Sequence, residues 1–242
     1  MSSLNKFTLL AFFLTCLNAI CGIVGILFSF FFSADSPIWY LPMQLLIFGA
    51  IFDYLDGRVA KKAPMPSALG AYSDSVADVI SFAILPGVMV LNSLSENSTL
   101  ESQEIFVLVV AGIYSLCGWA RLIRFATHPT DIHFDGLPSP AAALFIGSSA
   151  LLATQQEMHW FFWTNGLPLT LITIVISILM ILTINYPTPK RGKTPDMVAI
   201  CIAGVVVITF VFFPFYGTLS AVLFIAILYT AFGPLYLRKT KK

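Results

Sequence analysis

Asp53, Asp56, Asp74 and Asp78 stand within or against the ends of two otherwise apolar stretches. An ionisable side chain at membrane depth costs about 2.5–3.5 kcal/mol to insert and usually faces a bundle interior or a water-filled cavity. Four such residues call for a function. Asp53 and Asp56 are three apart and Asp74 and Asp78 four apart, so each pair shares one helical face. Two consecutive helices joined by a short basic loop run antiparallel, which brings all four carboxylates to the same membrane face. Packed together they repel one another, and bound cations offset that repulsion. Hard oxygen ligands without His or Cys point to Mg²⁺, Mn²⁺ or Ca²⁺. Two such ions about 3.5–4 Å apart serve in-line phosphoryl chemistry. Inter-helix hydrogen bonds or helix caps would explain one intramembrane aspartate, but not four on matched faces. Gly57, Ala60 and Gly70 lie between the pairs, small residues where a backbone or ligand can approach closely.

The elements that position these groups follow from composition. Of 242 residues, 58% are hydrophobic and 10% charged, against about 25% charged in an average soluble domain. A soluble domain and a disordered chain are both excluded. A bilayer core about 30 Å thick needs about 20 apolar residues per helix, so the chain has room for roughly eight spans and no extramembrane domain. Apolar runs punctuated by Pro, Gly and charge place them at 7–32, 38–57, 67–94, 104–126, 139–155, 165–185, 197–213 and 217–236. The first is too long for a signal-peptide core and lacks a small-x-small cleavage site. The fifth is short and rich in Ala, Gly and Ser, as closely packed membrane helices are. The expected fold is an all-α polytopic bundle forming a single domain over 1–242.

Charge placement supports the count. With eight spans and both termini on one side, that side receives Lys6, then Arg58, Lys61 and Lys62, then Arg121 and Arg124, then Lys190, Arg191 and Lys193, and last Arg238, Lys239, Lys241 and Lys242. All 13 basic residues are then on one side, which the positive-inside rule makes cytoplasmic. The acid site faces the cytoplasm in this topology, at the inner or plasma membrane. A net charge of +1 gives no case for a nucleic-acid partner. Cys16, Cys21, Cys117 and Cys201 fall in apolar stretches without a C-x-x-C pair and read as buried free thiols. His128, Asp131, His133 and Asp135 lack a recognised ligand spacing and read as a polar loop; His159 receives no role.

The string Asp53-x-x-Asp56-Gly57-x-x-Ala60-Lys61, eight residues, then Gly70-x-x-x-Asp74-x-x-x-Asp78 resembles the CDP-alcohol phosphotransferase motif D-x2-D-G-x2-A-R-x8-G-x3-D-x3-D. One position departs: Lys61 stands where the family has Arg, which keeps the charge but loses the bidentate fork. The resemblance implies a two-metal enzyme. Asp53, Asp56, Asp74 and Asp78 would be the ligands of two Mg²⁺ or Mn²⁺ ions, with Asp78 also the catalytic base. Gly57, Ala60, Lys61 and Gly70 would line the nucleotide site. The resemblance also implies a homodimer.

Further segments look like the phosphatidylserine synthase branch of that family: Leu14-Thr15-Cys16-Leu17-Asn18 with Cys21-Gly22, Ala120-Arg121-Leu122-Ile123-Arg124-Phe125, Gly136-Leu137-Pro138-Ser139-Pro140-Ala141-Ala142, and Tyr186-Pro187-x-Pro189-Lys190. This implies transfer of a phosphatidyl group from CDP-diacylglycerol, or a dialkyl counterpart, to L-serine with release of CMP, in contact with membrane lipids. Arg121 and Arg124, three apart on one face, could grip the serine carboxylate or the pyrophosphate; the other reading is orientation by the positive-inside rule. Ser139 either caps its helix or lines the pocket, capping being favoured beside Pro138 and Pro140. Asn18 either faces the nucleotide or bonds a neighbouring helix. Sibling acceptors are glycerol phosphate, inositol phosphate and choline, the last favouring an aromatic cage. A divalent-cation transporter would instead need carboxylates near mid-membrane and a repeat-related second cluster, which the sequence lacks.

Overall fold

The computed structural model describes residues 6–31, 38–62, 68–96, 104–127, 133–154, 166–187 and 229–230. The expected span 197–213, most of 217–236, the basic residues from Lys190 onward, His128, Asp131, His159 and Cys201 lie outside the described residues. Within them, Cys16, Cys21 and Cys117 are free thiols.

Six of the expected apolar stretches are helical. They are α1 (Lys6–Phe31), α2 (Leu41–Ala60), α3 (Ala68–Asp78) running through a π segment (Val79–Ile84) into α4 (Leu85–Glu96), α5 (Glu104–Thr127), α6 (Ser139–Ala153) and α7 (Leu167–Ile181). Three helices, Lys6–Phe31, Gly70–Ser95 and Glu104–Thr127, are long and apolar enough to cross a membrane, and α6 and α7 are shorter apolar helices.

The packing of α1 shows why this composition folds in lipid. Its buried residues are Thr15, Asn18, Cys21, Gly22, Gly25 and Ser29, one face of the helix, while Leu9 and Phe13 are 58% and 57% exposed. Large side chains face outward and small ones face protein, the reverse of a soluble helix, because lipid tails are as apolar as leucine and association rests on close backbone approach. A Cβ added at Gly22 would sit 2.5 Å from Ser81 Oγ, and one at Gly25 2.8 Å from Leu85 Cδ2. α1 therefore lies directly on the π segment and the start of α4.

The same logic places α6 at the centre. Ala142, Ala143, Ile146, Gly147, Ser148 and Ser149 are buried, and Gly147 admits Leu46 and Met43 of α2. The hydroxyls of Ser149, Thr173 and Ser177 donate to the carbonyls of Phe145, Leu169 and Thr173, four residues back. That bonding satisfies them where no water is available. The short fifth stretch is thus a packing helix, as its small residues suggested.

Two features were not expected. The third span is not a continuous α-helix. Pro86 has no N–H, and its ring crowds the Phe82 carbonyl one α-turn back. The helix relieves this by widening to a π turn, with the Leu85 N–H reaching Ile80 five residues back. Second, His133–Asp135 (β1) pairs antiparallel with Asn185–Pro187 (β2), Phe134 opposite Tyr186. The turn after β1 needs Gly136, whose φ of +83° is left-handed.

Candidate active site

Three of the four α2 and α3 aspartates meet, and Asp78 stands outside the set they form. One carboxylate oxygen each from Asp53, Asp56 and Asp74 lies within 4.8 Å of the others. Octahedral Mg²⁺ with ligands at about 2.1 Å holds its donors about 3–4 Å apart, so small side-chain adjustments bring this set onto an ion. Asp74 Oδ1 is buried with no hydrogen-bond partner among the described residues. An unsatisfied buried carboxylate oxygen is costly, and a cation is the partner that its all-oxygen surroundings fit.

Helix α1 fixes the remaining orientation. Thr15 Oγ1 donates to Asp56 Oδ2 at 2.8 Å, and Asn18 Nδ2 donates to Asp78 Oδ1 at 3.2 Å. Asn18 is fully buried, so it bonds a neighbouring helix through the very group expected to act as base. Its main chain is held in turn, Ser81 Oγ donating to the Asn18 carbonyl at 2.9 Å. Gly49 of α2 leaves room for this amide, since an added Cβ would come 3.0 Å from Asn18 Oδ1. That Oδ1 is buried without a hydrogen-bond partner, so the network ends in an open acceptor.

The small motif residues divide by surroundings. Gly57 is exposed, and a Cβ added there meets nothing within 4 Å among the described residues. Glycine inside a helix costs about 1 kcal/mol relative to alanine, and no packing among the described residues accounts for its presence. Ala60 and Lys61 are exposed at the end of α2, and Gly70 is half-buried on α3. Arg58 lies over the Tyr54 ring at 4.7 Å.

Arg121 and Arg124 part company. Arg121 is 6% exposed and donates from Nη1 to Ser139 Oγ at 2.6 Å, close enough to Asp78, Asp53 and Tyr229 to interact with them electrostatically. Arg124 instead donates to main-chain carbonyls: Ile181 at 2.7 Å, Asp135 at 2.7 Å and Met180 at 3.2 Å. Two of these belong to the last turn of α7, whose carbonyls have no helical donors. The expectation of a matched arginine pair is corrected as to partners: Arg121 meets Ser139, and Arg124 meets main-chain carbonyls of β1 and α7. The favoured capping reading of Ser139 is corrected too: Pro138 is the N-cap of α6, without a side-chain cap, and the serine hydroxyl accepts from Arg121. Tyr186, buried on β2, stacks on Tyr229 with ring centroids 5.8 Å apart.

Thr15 and Tyr186 lie in the family-like segments with no site role expected of them, and Ser81 and Tyr229 fall outside every motif. A signal existed for Thr15: it stands three residues before Asn18 in an apolar helix, hence on the same face. Nothing local marks the others.

Residues 8–233 match the family model described as CDP-alcohol phosphatidyltransferase. The chain is 32% identical over 205 residues, 85% of its own length and 84% of the relative's, to the CDP-diacylglycerol–serine O-phosphatidyltransferase of Methanocaldococcus jannaschii. It is 31% identical over 187 residues, 76% and 72% of the two chains, to the archaetidylserine synthase of Methanothermobacter thermautotrophicus. It is 32% identical over 166 residues, 67% of each chain, to a protein of the first name from Helicobacter pylori. With a match running almost end to end and three of the four motif aspartates brought together from two helices, the chain belongs to the CDP-alcohol phosphatidyltransferase family.

Proposed function

We propose that the protein transfers a phosphatidyl-type group from a CDP-linked diacyl or dialkyl glycerol to the hydroxyl of L-serine, releasing CMP, as a step of phospholipid biosynthesis. The observation that carries this reading is the convergence of Asp53, Asp56 and Asp74 within 4.8 Å, in a chain whose relatives are named for that reaction. Asp53, Asp56, Asp74 and Asp78 would hold two Mg²⁺ or Mn²⁺ ions, which when bound neutralise charge on the pyrophosphate and the leaving CMP.

The chain's own residues do the rest. Asn18 aims Asp78 through its amide, and Asp78 takes the proton of the serine hydroxyl as that oxygen attacks the β-phosphorus in line. Arg121, with Ser139 fixing its fork, meets the serine carboxylate. The open side of Gly57 admits the cytidine nucleotide, with Ala60 and Gly70 flanking it and Lys61 reaching a phosphate. Arg124 serves as scaffold. The whole chain acts as one domain of eight spans with both termini and the acid site cytoplasmic, and pairs as a homodimer.

The test is CMP release by purified protein in detergent with CDP-diacylglycerol, Mg²⁺ or Mn²⁺, and a panel of alcohols. Serine is expected to raise CMP well above water alone, and chelation to abolish it. Release driven by inositol phosphate, glycerol phosphate or choline but not serine would overturn the acceptor.

A further inference from the structure

The π segment stands immediately after Asp78, and its surroundings hold it from two sides. On the α1 side, Ser81 bonds the Asn18 carbonyl at 2.9 Å and Gly22 lets the two backbones approach. On the α5 side, Gly118 lies against Ala83, where an added Cβ would come 2.9 Å from the alanine's Cβ. Also on α5, Tyr114, fully buried, donates its hydroxyl to the Phe82 carbonyl at 3.1 Å. That carbonyl is the one whose α-helical donor would be residue 86, and residue 86 is proline. Ser81, Phe82 and Ala83 are all buried, so water cannot replace the missing donor.

A π turn carries one residue more than an α turn. It therefore rotates the preceding helix by about 100° relative to an uninterrupted α-helix. Asp74 and Asp78 precede it; the core residues Met89 and Val90 follow it. The face that α3 presents to α1 and α2 therefore depends on this turn remaining wide.

We infer that Tyr114 is a positioning residue for the acid site: by supplying a donor to the Phe82 carbonyl that Pro86 cannot serve, its hydroxyl holds Val79–Ile84 in π register and so turns Asp78 toward Asn18 and the other aspartates. The inference rests on the proposed metal-dependent transfer for its functional half, while its structural half stands apart from it. Tyr114→Phe keeps the ring and removes only the donor.

The experiment compares wild type, Tyr114→Phe, Pro86→Ala, the double variant and Asp74→Asn, all purified in detergent. It measures amide hydrogen exchange over residues 79–86, Mn²⁺ binding by electron paramagnetic resonance without substrate, and kcat and KM for serine. Tyr114→Phe should speed exchange in that segment and weaken Mn²⁺ binding, each by about 5-fold or more, and lower kcat about 10-fold with KM for serine within about 2-fold. Pro86→Ala gives Phe82 a backbone donor and lets the turn close to α, so it should weaken Mn²⁺ comparably. The double variant should be no worse than Pro86→Ala alone, because both changes act through one carbonyl. Wild-type exchange and Mn²⁺ binding in Tyr114→Phe, or additive losses in the double variant, would overturn the inference. If Asp74→Asn binds Mn²⁺ as wild type does, the metal reading fails, and the exchange of 79–86 still decides the register.

Discussion

Two polar clusters sit beside the same bundle and differ in what they leave unsatisfied. Around Arg124, the guanidinium bonds the Ile181, Met180 and Asp135 carbonyls, Gly136 N–H reaches the Ile184 carbonyl at 2.9 Å, and Leu137 N–H reaches that of Leu179 at 3.0 Å. Each donor named meets an acceptor of the chain itself. At the acid site, three carboxylates crowd within 4.8 Å of one another, while Asp74 Oδ1 and Asn18 Oδ1 are buried without hydrogen-bond partners among the described residues. A cluster that completes its own bonding holds the fold, and one that leaves acceptors open is built for something from outside.

Three substitutions test that contrast. Asp74→Asn keeps the shape and removes one ligand charge. Turnover should fall about 10³-fold or more, a barrier increase of about 4 kcal/mol, with little change in thermal midpoint. Near-normal turnover would break the distinction between the clusters. Next in size, Arg124→Ala leaves helix-end carbonyls without their donor and should cost about 2–3 kcal/mol of stability, while the folded fraction keeps its KM for serine. A raised KM at unchanged stability would instead make Arg124 a substrate ligand. Smallest is Gly57→Ala, where the added methyl meets no atom of the described residues within 4 Å. It should stabilise α2 by up to about 1 kcal/mol while lowering kcat/KM for the CDP-lipid about 10-fold, or about 1.4 kcal/mol. A stabilised variant with unaltered kinetics would show that no ligand uses this opening.

The chemistry was legible early because intramembrane charge is costly and helical spacing is rigid. Asp53 and Asp56, three apart, and Asp74 and Asp78, four apart, already placed two carboxylate faces on neighbouring helices. The helices of the six described stretches follow the apolar runs for the same reason: in lipid, backbone polar groups must be satisfied within the segment. Arg121 and Arg124, in contrast, look equivalent in the sequence, both basic and on one face. Their different partners come from β1, α6 and α7, more than ten residues away along the chain. Ser139 was read as a cap from its neighbours and found its partner in Arg121 for the same reason.

The sequence by itself determined that this chain lives in a bilayer and carries a four-aspartate motif on two adjacent helices, since hydropathy and residue spacing are local properties. Only the tertiary structure decided that Asn18 serves Asp78, that Arg124 ties down α7, and that the third span widens between Val79 and Ile84 with Tyr114 donating to the Phe82 carbonyl. Each of those depends on which donor from another element arrives at a given acceptor. That is fixed by how whole helices pack, and no window along the chain contains it.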